Sequence, residues 1–192
     1  MMRRSPGCSE ALRRRPVGAF SDLDWDRIDV QAIVDSSGLA TIDERRHPAC
    51  RQWLLRQGYQ IDTLDCRPGL AEAVPALGRL LSWREKFGYS LGSSDRNLDA
   101  LRDGFRFDIS KDGGRVLEVV RADVAWREDS SWLLGLLSIT QEHCRRQLAL
   151  GRRFFALLVV PEGSPLVGAD IEKTQVPCQF WSACREVHEF VR

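Results

Sequence analysis

The chain has 192 residues, of which 43% are hydrophobic and 29% are charged. This length accommodates one domain with appendages or two very small domains, and the composition excludes a collagen-like, fibrous or wholly disordered protein. The 28 lysines and arginines nearly balance the 27 aspartates and glutamates. The resulting net charge of +1 indicates neither a dedicated nucleic-acid binder nor a strongly acidic protein.

Apolar runs and cysteines indicate where the chain resides. The longest apolar run covers residues 154–160, well short of the 18 or so residues that span a bilayer. No apolar segment follows the basic start over residues 1–6, so we expect a cytoplasmic protein without membrane contact. The six cysteines contain no C-x-x-C pair. They are typical of reduced thiols, and we expect no metal and no cofactor.

The N-terminal quarter of the chain contains two blocks of opposite charge. Residues 1–20 include five arginines and one glutamate, whereas residues 21–50 include seven acidic residues and three arginines. Such blocks are usually solvated or mobile segments. We predict a basic, mobile arm over residues 1–20 and an N-terminal helical extension over residues 21–57.

Readable elements begin after this region. A helix is predicted from Pro48 to the glycine at position 58, because proline suits the first turn and glycine the C-terminus. Alternating apolar and polar residues predict a strand over 59–66. Helical spacing of leucines predicts a helix over 70–83, in which Pro75 either introduces a kink or sets a later start.

The second half of the chain continues the alternation of helices and strands. We predict a loop over 87–94, a short helix through about 105, a strand over 115–121, a long helix over 132–150 and a strand over 154–160. The last strand is apolar throughout, as expected when helices cover both faces of a parallel sheet. This order predicts an α/β fold with right-handed crossovers over residues 58–161, followed by a C-terminal extension over 162–192.

Signatures of catalysis are sparse. The sequence contains no phosphate loop of the G-x-G-x-x-G or G-K-[ST] type. Three carboxylates on predicted strands, Asp62, Asp65 and Glu118, are candidate magnesium ligands. Strand carboxylates near a loop are more often turn formers or solvated edges, so we predict that the chain is not an enzyme. A small metal-dependent hydrolase stays open as a minor alternative.

The segment before residue 106 has an unusual arrangement of acidic residues. Asp95, Asp99 and Asp103 recur every four residues and therefore form one stripe along the predicted short helix. The opposite, apolar stripe consists of Leu98, Leu101 and Phe105. Aligned like charges cost a few tenths of a kcal/mol per pair, so the acidic stripe brings no stability of its own.

Two interpretations of this stripe remain open. It is either a solvated face that Arg96, Arg102 and Arg106 partly neutralise, or a row of carboxylates that replaces phosphates in the basic cleft of a partner.

The motif Asn97-Leu98-Asp99-Ala100-Leu101-x-Asp103 resembles the N-L-D-A-L-x-D helix of the barstar family, small intracellular inhibitors of barnase-like ribonucleases. The surrounding order of elements is similar too. An aromatic–glycine loop over 87–89 precedes the motif, and a strand containing Val116-Leu117-Glu118, a long helix and an apolar strand follow it. The resemblance covers about residues 59–160, roughly half of the chain.

The resemblance implies a barstar-like α/β fold with a small three-stranded parallel sheet and flanking helices. It also implies an inhibitor that acts without chemistry, because in that family the helix and the preceding loop block the active site of the nuclease. By motif position, Asp103 would take the place of the substrate phosphate and Asp99 would form a second charged contact one turn earlier. The expected partner is a small secreted or toxin-type ribonuclease, bound by a monomer that does not contact nucleic acid directly.

The partner-binding residues implied by the motif and its flanking charges are Asn97, Asp99, Arg102, Asp103 and Arg106. The chain departs from the family pattern at three points. Arg102 stands where tryptophan is usual, Gly104 replaces a cysteine, and the loop over 89–94 is longer. Since a fold does not fix a partner, a barstar-like interaction module with a non-nuclease partner is the main alternative.

Overall fold

A computed structural model describes residues 19–21, 24, 27–92, 97–110, 113–167, 170–171 and 174–175. Most of the predicted basic arm, positions 93–96 and most of the C-terminal extension lie outside these residues. The strands are β1 Leu39–Asp43, β2 Tyr59–Asp65, β3 Gly114–Val120, β4 Arg153–Val160, β5 Asp170–Ile171 and β6 Thr174–Gln175. The helices are α1 Ile28–Val34, α2 His47–Arg56, α3 Leu70–Leu80, α4 Trp83–Phe87, α5 Leu98–Gly104, α6 Ala122–Glu128 and α7 Ser130–Ala149.

The main sheet has four parallel strands in the order β1-β4-β3-β2, and β5 and β6 form a separate antiparallel pair. The α/β class and the parallel sheet are as predicted, but the expected number of three strands is wrong. The additional strand, β1, lies within the range 21–57 that the sequence predicts as a helical extension. It pairs with β4 in register from Leu39↔Ala156 to Asp43↔Val160.

β4 is the central element of the core. All seven residues over 154–160 are buried, which confirms the prediction of a strand covered on both faces. Phe154 and Phe155 are both fully buried and point to opposite faces, because successive side chains of a strand alternate.

The two faces of the sheet are covered by different helices. Tyr59 and Glu118 point to the same face, where they contact Asp29 of α1 and His47 of α2. Phe154 points to the other face, where its ring lies 4.8 Å from the imidazole of His143 in α7. Helix α5 contacts α7 and is therefore held on this second face.

Most predicted elements of the second half are present with small shifts in their ends. Pro75 lies inside α3, which begins at Leu70, so the alternative of a later helix start is wrong. The short helices α4 and α6 have no counterpart in the sequence prediction.

Among the described residues, no helix is long and apolar enough to cross a membrane.

Candidate functional site

Helix α5 begins with a side-chain cap. The Oδ1 atom of Asn97 accepts hydrogen bonds from the backbone N–H groups of Asp99, at 2.9 Å, and Ala100, at 3.2 Å. These bonds satisfy two of the amides that a helix leaves unpaired at its start. Asn97, predicted as a partner-binding residue, therefore fixes the start of the helix that carries the acidic side chains.

The apolar side of α5 is anchored as the sequence predicts. Leu101 and Phe105 are 2% and 3% exposed, and Leu98 packs against Gly135 of α7. Gly104 is also buried. A Cβ at this position would overlap the indole ring of Trp83 and lie 2.9 Å from Phe87 Cε2. The glycine that departs from the family pattern is thus required by the close approach of α4.

The acidic side of α5 faces outward. The side chain of Asp99 is 92% exposed, and Asp103, one turn later, is also exposed. No ion pair joins Asp103 to any residue that the structure describes. Asp95, the third predicted member of the stripe, lies outside the described residues. The described part of the stripe therefore consists of Asp99 and Asp103.

A chain of alternating charges links α5 to α7. Arg102 Nη1 lies 3.5 Å from Asp99 Oδ1, and Arg102 Nε lies 3.3 Å from Glu142 Oε2. Glu142 Oε1 in turn accepts a hydrogen bond from Arg146 Nη2. We call these four residues the α5–α7 charge chain. The predicted partial neutralisation of the acidic stripe by Arg102 is thus present for Asp99, through an i, i+3 ion pair.

Arg106 lies beyond the C-terminal end of α5 and is exposed. Its carbonyl oxygen accepts a hydrogen bond from Lys86 Nζ at 3.3 Å. Partial burial and the nearby Arg106 charge lower the pKa of Lys86. We call the outward side chains Asp99, Arg102, Asp103 and Arg106 the α5 face. Two acidic and two basic groups give this face a mixed charge.

Three aromatic rings lie beside the C-terminal end of α5. The ring centroid of Trp83 lies 4.5 Å from that of Phe87 and 6.2 Å from that of Tyr89. Trp83 is buried against Gly104, whereas Phe87 and Tyr89 are 42% and 47% exposed. This aromatic cluster places apolar surface next to Asp103, the chain neighbour of Gly104.

Sequence reasoning recognised the loop over 87–89 but did not assign its aromatic residues to the site. The available signal was the presence of two aromatic residues within a segment rich in glycine and serine. Exposed aromatic residues of this kind are enriched in protein interfaces.

The three strand carboxylates proposed as magnesium ligands do not converge. Asp62 is paired with Arg115, at 2.9 Å, and Asp65 with Arg67, at 2.6 Å. The strand register places Asp62 and Glu118 on opposite faces of the sheet. Among the described residues, no group of three potential metal ligands comes together.

Glu118 instead belongs to a buried polar cluster with His47, Arg51 and Thr63. Its carboxylate is fully buried and lies 2.6 Å from His47 Nε2 and 3.0 Å from Thr63 Oγ1, and Arg51 forms an ion pair with it. Burial raises the pKa of Glu118, but the hydrogen bond and charge of His47 and the charge of Arg51 outweigh it and leave this pKa below 4.5. The cluster binds α2 to the sheet.

The sequence pattern predicts a helix from Pro48, next to His47, but it does not reveal this cluster. Its members come from α2, β2 and β3, so their proximity depends on the tertiary fold.

Comparisons of the chain with protein-family models, with curated proteins and with solved structures find no match.

Proposed function

We propose that this chain is a protein inhibitor of a barnase-type ribonuclease, and that the α5 face with the aromatic cluster blocks the active site of the enzyme. The observation that carries the proposal is the placement of Asp99 and Asp103 on the solvent side of a helix whose opposite side is anchored in the core. The motif that resembles the barstar helix coincides with this anchored element.

The chemistry of the surface fits a nuclease as partner. A ribonuclease cleft is cationic because it binds phosphates, and pairs of carboxylate and guanidinium groups are short and directional. Asp103 is free to pair, since no described residue forms an ion pair with it. The exposed rings of Phe87 and Tyr89 add apolar area beside this charge, the combination found at the centre of tight interfaces.

The inhibitor needs no catalytic group, metal or cofactor of its own. It acts by occupying the substrate site, in the cytoplasm, as a monomer that binds one nuclease. Such an inhibitor protects the RNA of the cell that produces the nuclease, so rapid association is as important as high affinity.

The proposal is tested by replacing the two carboxylates together. We expect Asp99→Ala with Asp103→Ala to leave the fold intact, because both side chains are exposed, and to weaken inhibition of a barnase-type ribonuclease by several kcal/mol, about a hundredfold or more. Asp35→Ala is a matched control, because Asp35 is also exposed but ends α1 on the other face of the sheet. Unchanged inhibition by the double variant would contradict the proposal.

A second candidate function is favoured by the mixed charge of the α5 face. Arg102 and Arg106 alternate with the aspartates, which suits a protein partner other than a strongly basic nuclease. In this case the chain is a barstar-like interaction module. A pull-down from the native cell distinguishes the two functions when the bait is compared with its Asp103→Ala variant. Recovery of a small basic nuclease by the unaltered bait alone supports the inhibitor, and recovery of a non-nuclease protein supports the module.

A further inference from the structure

We infer that Arg102 determines the specificity of the α5 face, because it favours a partner with a carboxylate opposite it and disfavours a uniformly cationic cleft. This inference rests on the proposed function of the α5 face as a protein-binding surface. One side chain, Arg102, thus selects which nuclease or other protein the chain binds.

Two ion pairs restrain the guanidinium of Arg102. Asp99 contacts it from within α5, and Glu142 contacts it from α7. Two elements packed on each other thus restrain a side chain that would otherwise sample many conformations. A partner that docks on α5 therefore meets a restrained positive charge beside Asp99, one residue before Asp103 in the chain, with a reduced further loss of side-chain entropy.

Arg102 keeps hydrogen-bonding capacity for a partner. A guanidinium carries five N–H donors. The nearest contacts with Asp99 and Glu142 involve Nη1 and Nε, and no hydrogen bond joins Nη2 to a described residue. The side chain is 45% exposed, which leaves room for an incoming carboxylate to accept from this edge.

A uniformly cationic cleft would be repelled by the positive charge of Arg102. Its lysines and arginines would pair with Asp103 but would also approach Arg102, and juxtaposed like charges at an interface are strongly unfavourable. Asp99 is less available to such a cleft, because it already shares its charge with Arg102. Arg102 and Asp99 thus select partners by repulsion as well as by attraction.

Arg146 provides a matched control for Arg102. Both arginines contact Glu142, but Arg146 belongs to α7 and has no ion pair with the aspartates of α5 that the structure describes. Replacement of either residue by methionine removes one positive charge from the α5–α7 charge chain and keeps a long side chain at that position. Only Arg102→Met removes the positive charge that contacts Asp99.

The experiment measures the affinity of a barnase-type ribonuclease with a cationic cleft for the unaltered chain, Arg102→Met and Arg146→Met. We expect Arg102→Met to bind this probe about tenfold more tightly than the unaltered chain, and Arg146→Met to stay within about twofold. Circular dichroism and thermal unfolding verify that each variant is folded before its affinity is compared.

A charge-reversal scan of the probe then locates the preferred carboxylate. Lysines and arginines at the rim of the ribonuclease cleft are changed to glutamate one at a time. We expect one glutamate to increase affinity for the unaltered chain by about tenfold and to decrease it for Arg102→Met, which is the signature of a direct pair in a double-mutant cycle. Absence of any such position overturns the preference for a carboxylate.

Two outcomes separate this inference from the function on which it rests. If Arg102→Met and the unaltered chain bind the cationic probe equally, while Asp103→Asn weakens binding, the inference is wrong and the proposed inhibitor stands. If neither the unaltered chain nor Arg102→Met binds the probe, both the inference and the ribonuclease-inhibitor proposal are overturned.

Discussion

Gly104 of α5 lies directly against the indole ring of Trp83, so close that a Cβ at this position would overlap the ring carbon Cζ3. The contact joins the acidic helix to α4 and to the aromatic cluster. It also explains how a glycine, which normally weakens a helix, is accommodated in the last turn of α5.

The contact predicts the effect of adding one methyl group. Alanine has a helix propensity about 1 kcal/mol better than that of glycine, but in Gly104→Ala the overlap with Trp83 and Phe87 outweighs this gain. We expect a net loss of about 1–3 kcal/mol in the free energy of unfolding, measured by urea denaturation.

Gly135→Ala is the comparison variant for this prediction. A Cβ at Gly135 would also overlap a neighbour, but this neighbour is the flexible end of the partly exposed Leu98 side chain. The leucine has room to move, whereas the buried indole does not, so the loss is smaller than for Gly104→Ala. An equal or larger loss for Gly135→Ala would show that the packing of Trp83 is not the cause.

His143 predicts a dependence of stability on pH. The imidazole is 6% exposed among the rings of Phe105, Phe107 and Phe154, and its Nε2 atom has no hydrogen-bond partner among the described residues. Burial, with a smaller contribution from the Arg146 charge, lowers the pKa of His143 to about 4. The folded state therefore keeps the imidazole neutral at pH values where the unfolded chain, with a pKa near 6.5, is already protonated.

The sign of the effect follows from proton binding. Between pH 6.5 and pH 4 the unfolded state binds more protons at this site, so acidification favours unfolding. We expect His143 to have no effect on the free energy of unfolding above pH 6.5. As the pH falls from 6.5 to 4, this free energy should decrease by about 3 kcal/mol. His143→Leu should flatten the stability profile in this window, and an unchanged slope in the variant would refute the assignment.

The buried Glu118 predicts a separate loss at lower pH. Because its pKa in the folded chain is below 4.5, its charge stabilises the fold above that value, and this contribution is lost as the pH falls through the folded pKa. Glu118→Gln should lower the free energy of unfolding at pH 7 by about 2 kcal/mol, since hydrogen bonds to a charged partner are replaced by neutral ones.

The distinguishing measurement for Glu118 is the pH profile below 4.5. The unaltered chain should lose stability there more steeply than Glu118→Gln, whereas both should respond alike between pH 4.5 and pH 6.5, where His143 titrates. Parallel profiles below pH 4.5 would mean that the fold does not lower the pKa of Glu118.

The strands that sequence patterns predict well are those whose signal is local. β2 alternates apolar and polar residues and β4 is a continuous apolar run, so each has a recognisable pattern within its own residues. β1 has only five residues, and it follows a segment dense in charge. Its strand conformation depends on pairing with β4 far along the chain, which no local pattern reveals.

In the candidate site, too, some features follow from the local sequence and others only from tertiary packing. Helical spacing alone predicts that Asp99 and Asp103 share the solvent side of α5 and that Leu101 and Phe105 face the core. The pairing of Arg102 with Glu142 requires α7 to lie beside α5. Tertiary packing creates this contact, and the spacing of residues along the sequence does not reveal it.

The aromatic cluster gives the last prediction. Tyr89 is 47% exposed next to the acidic helix, and truncation of an exposed tyrosine at the centre of an interface commonly costs more than 1 kcal/mol of binding. We expect Tyr89→Ala to weaken inhibition of a barnase-type ribonuclease by about tenfold, measured as an inhibition constant. Leu150→Ala is the control, because Leu150 is 66% exposed but lies at the C-terminal end of α7. Thermal unfolding of both variants should stay close to that of the unaltered chain, because exposed side chains contribute little to folding stability. An equal effect of the two substitutions on inhibition would remove the aromatic cluster from the binding surface and leave the α5 face as its only described part.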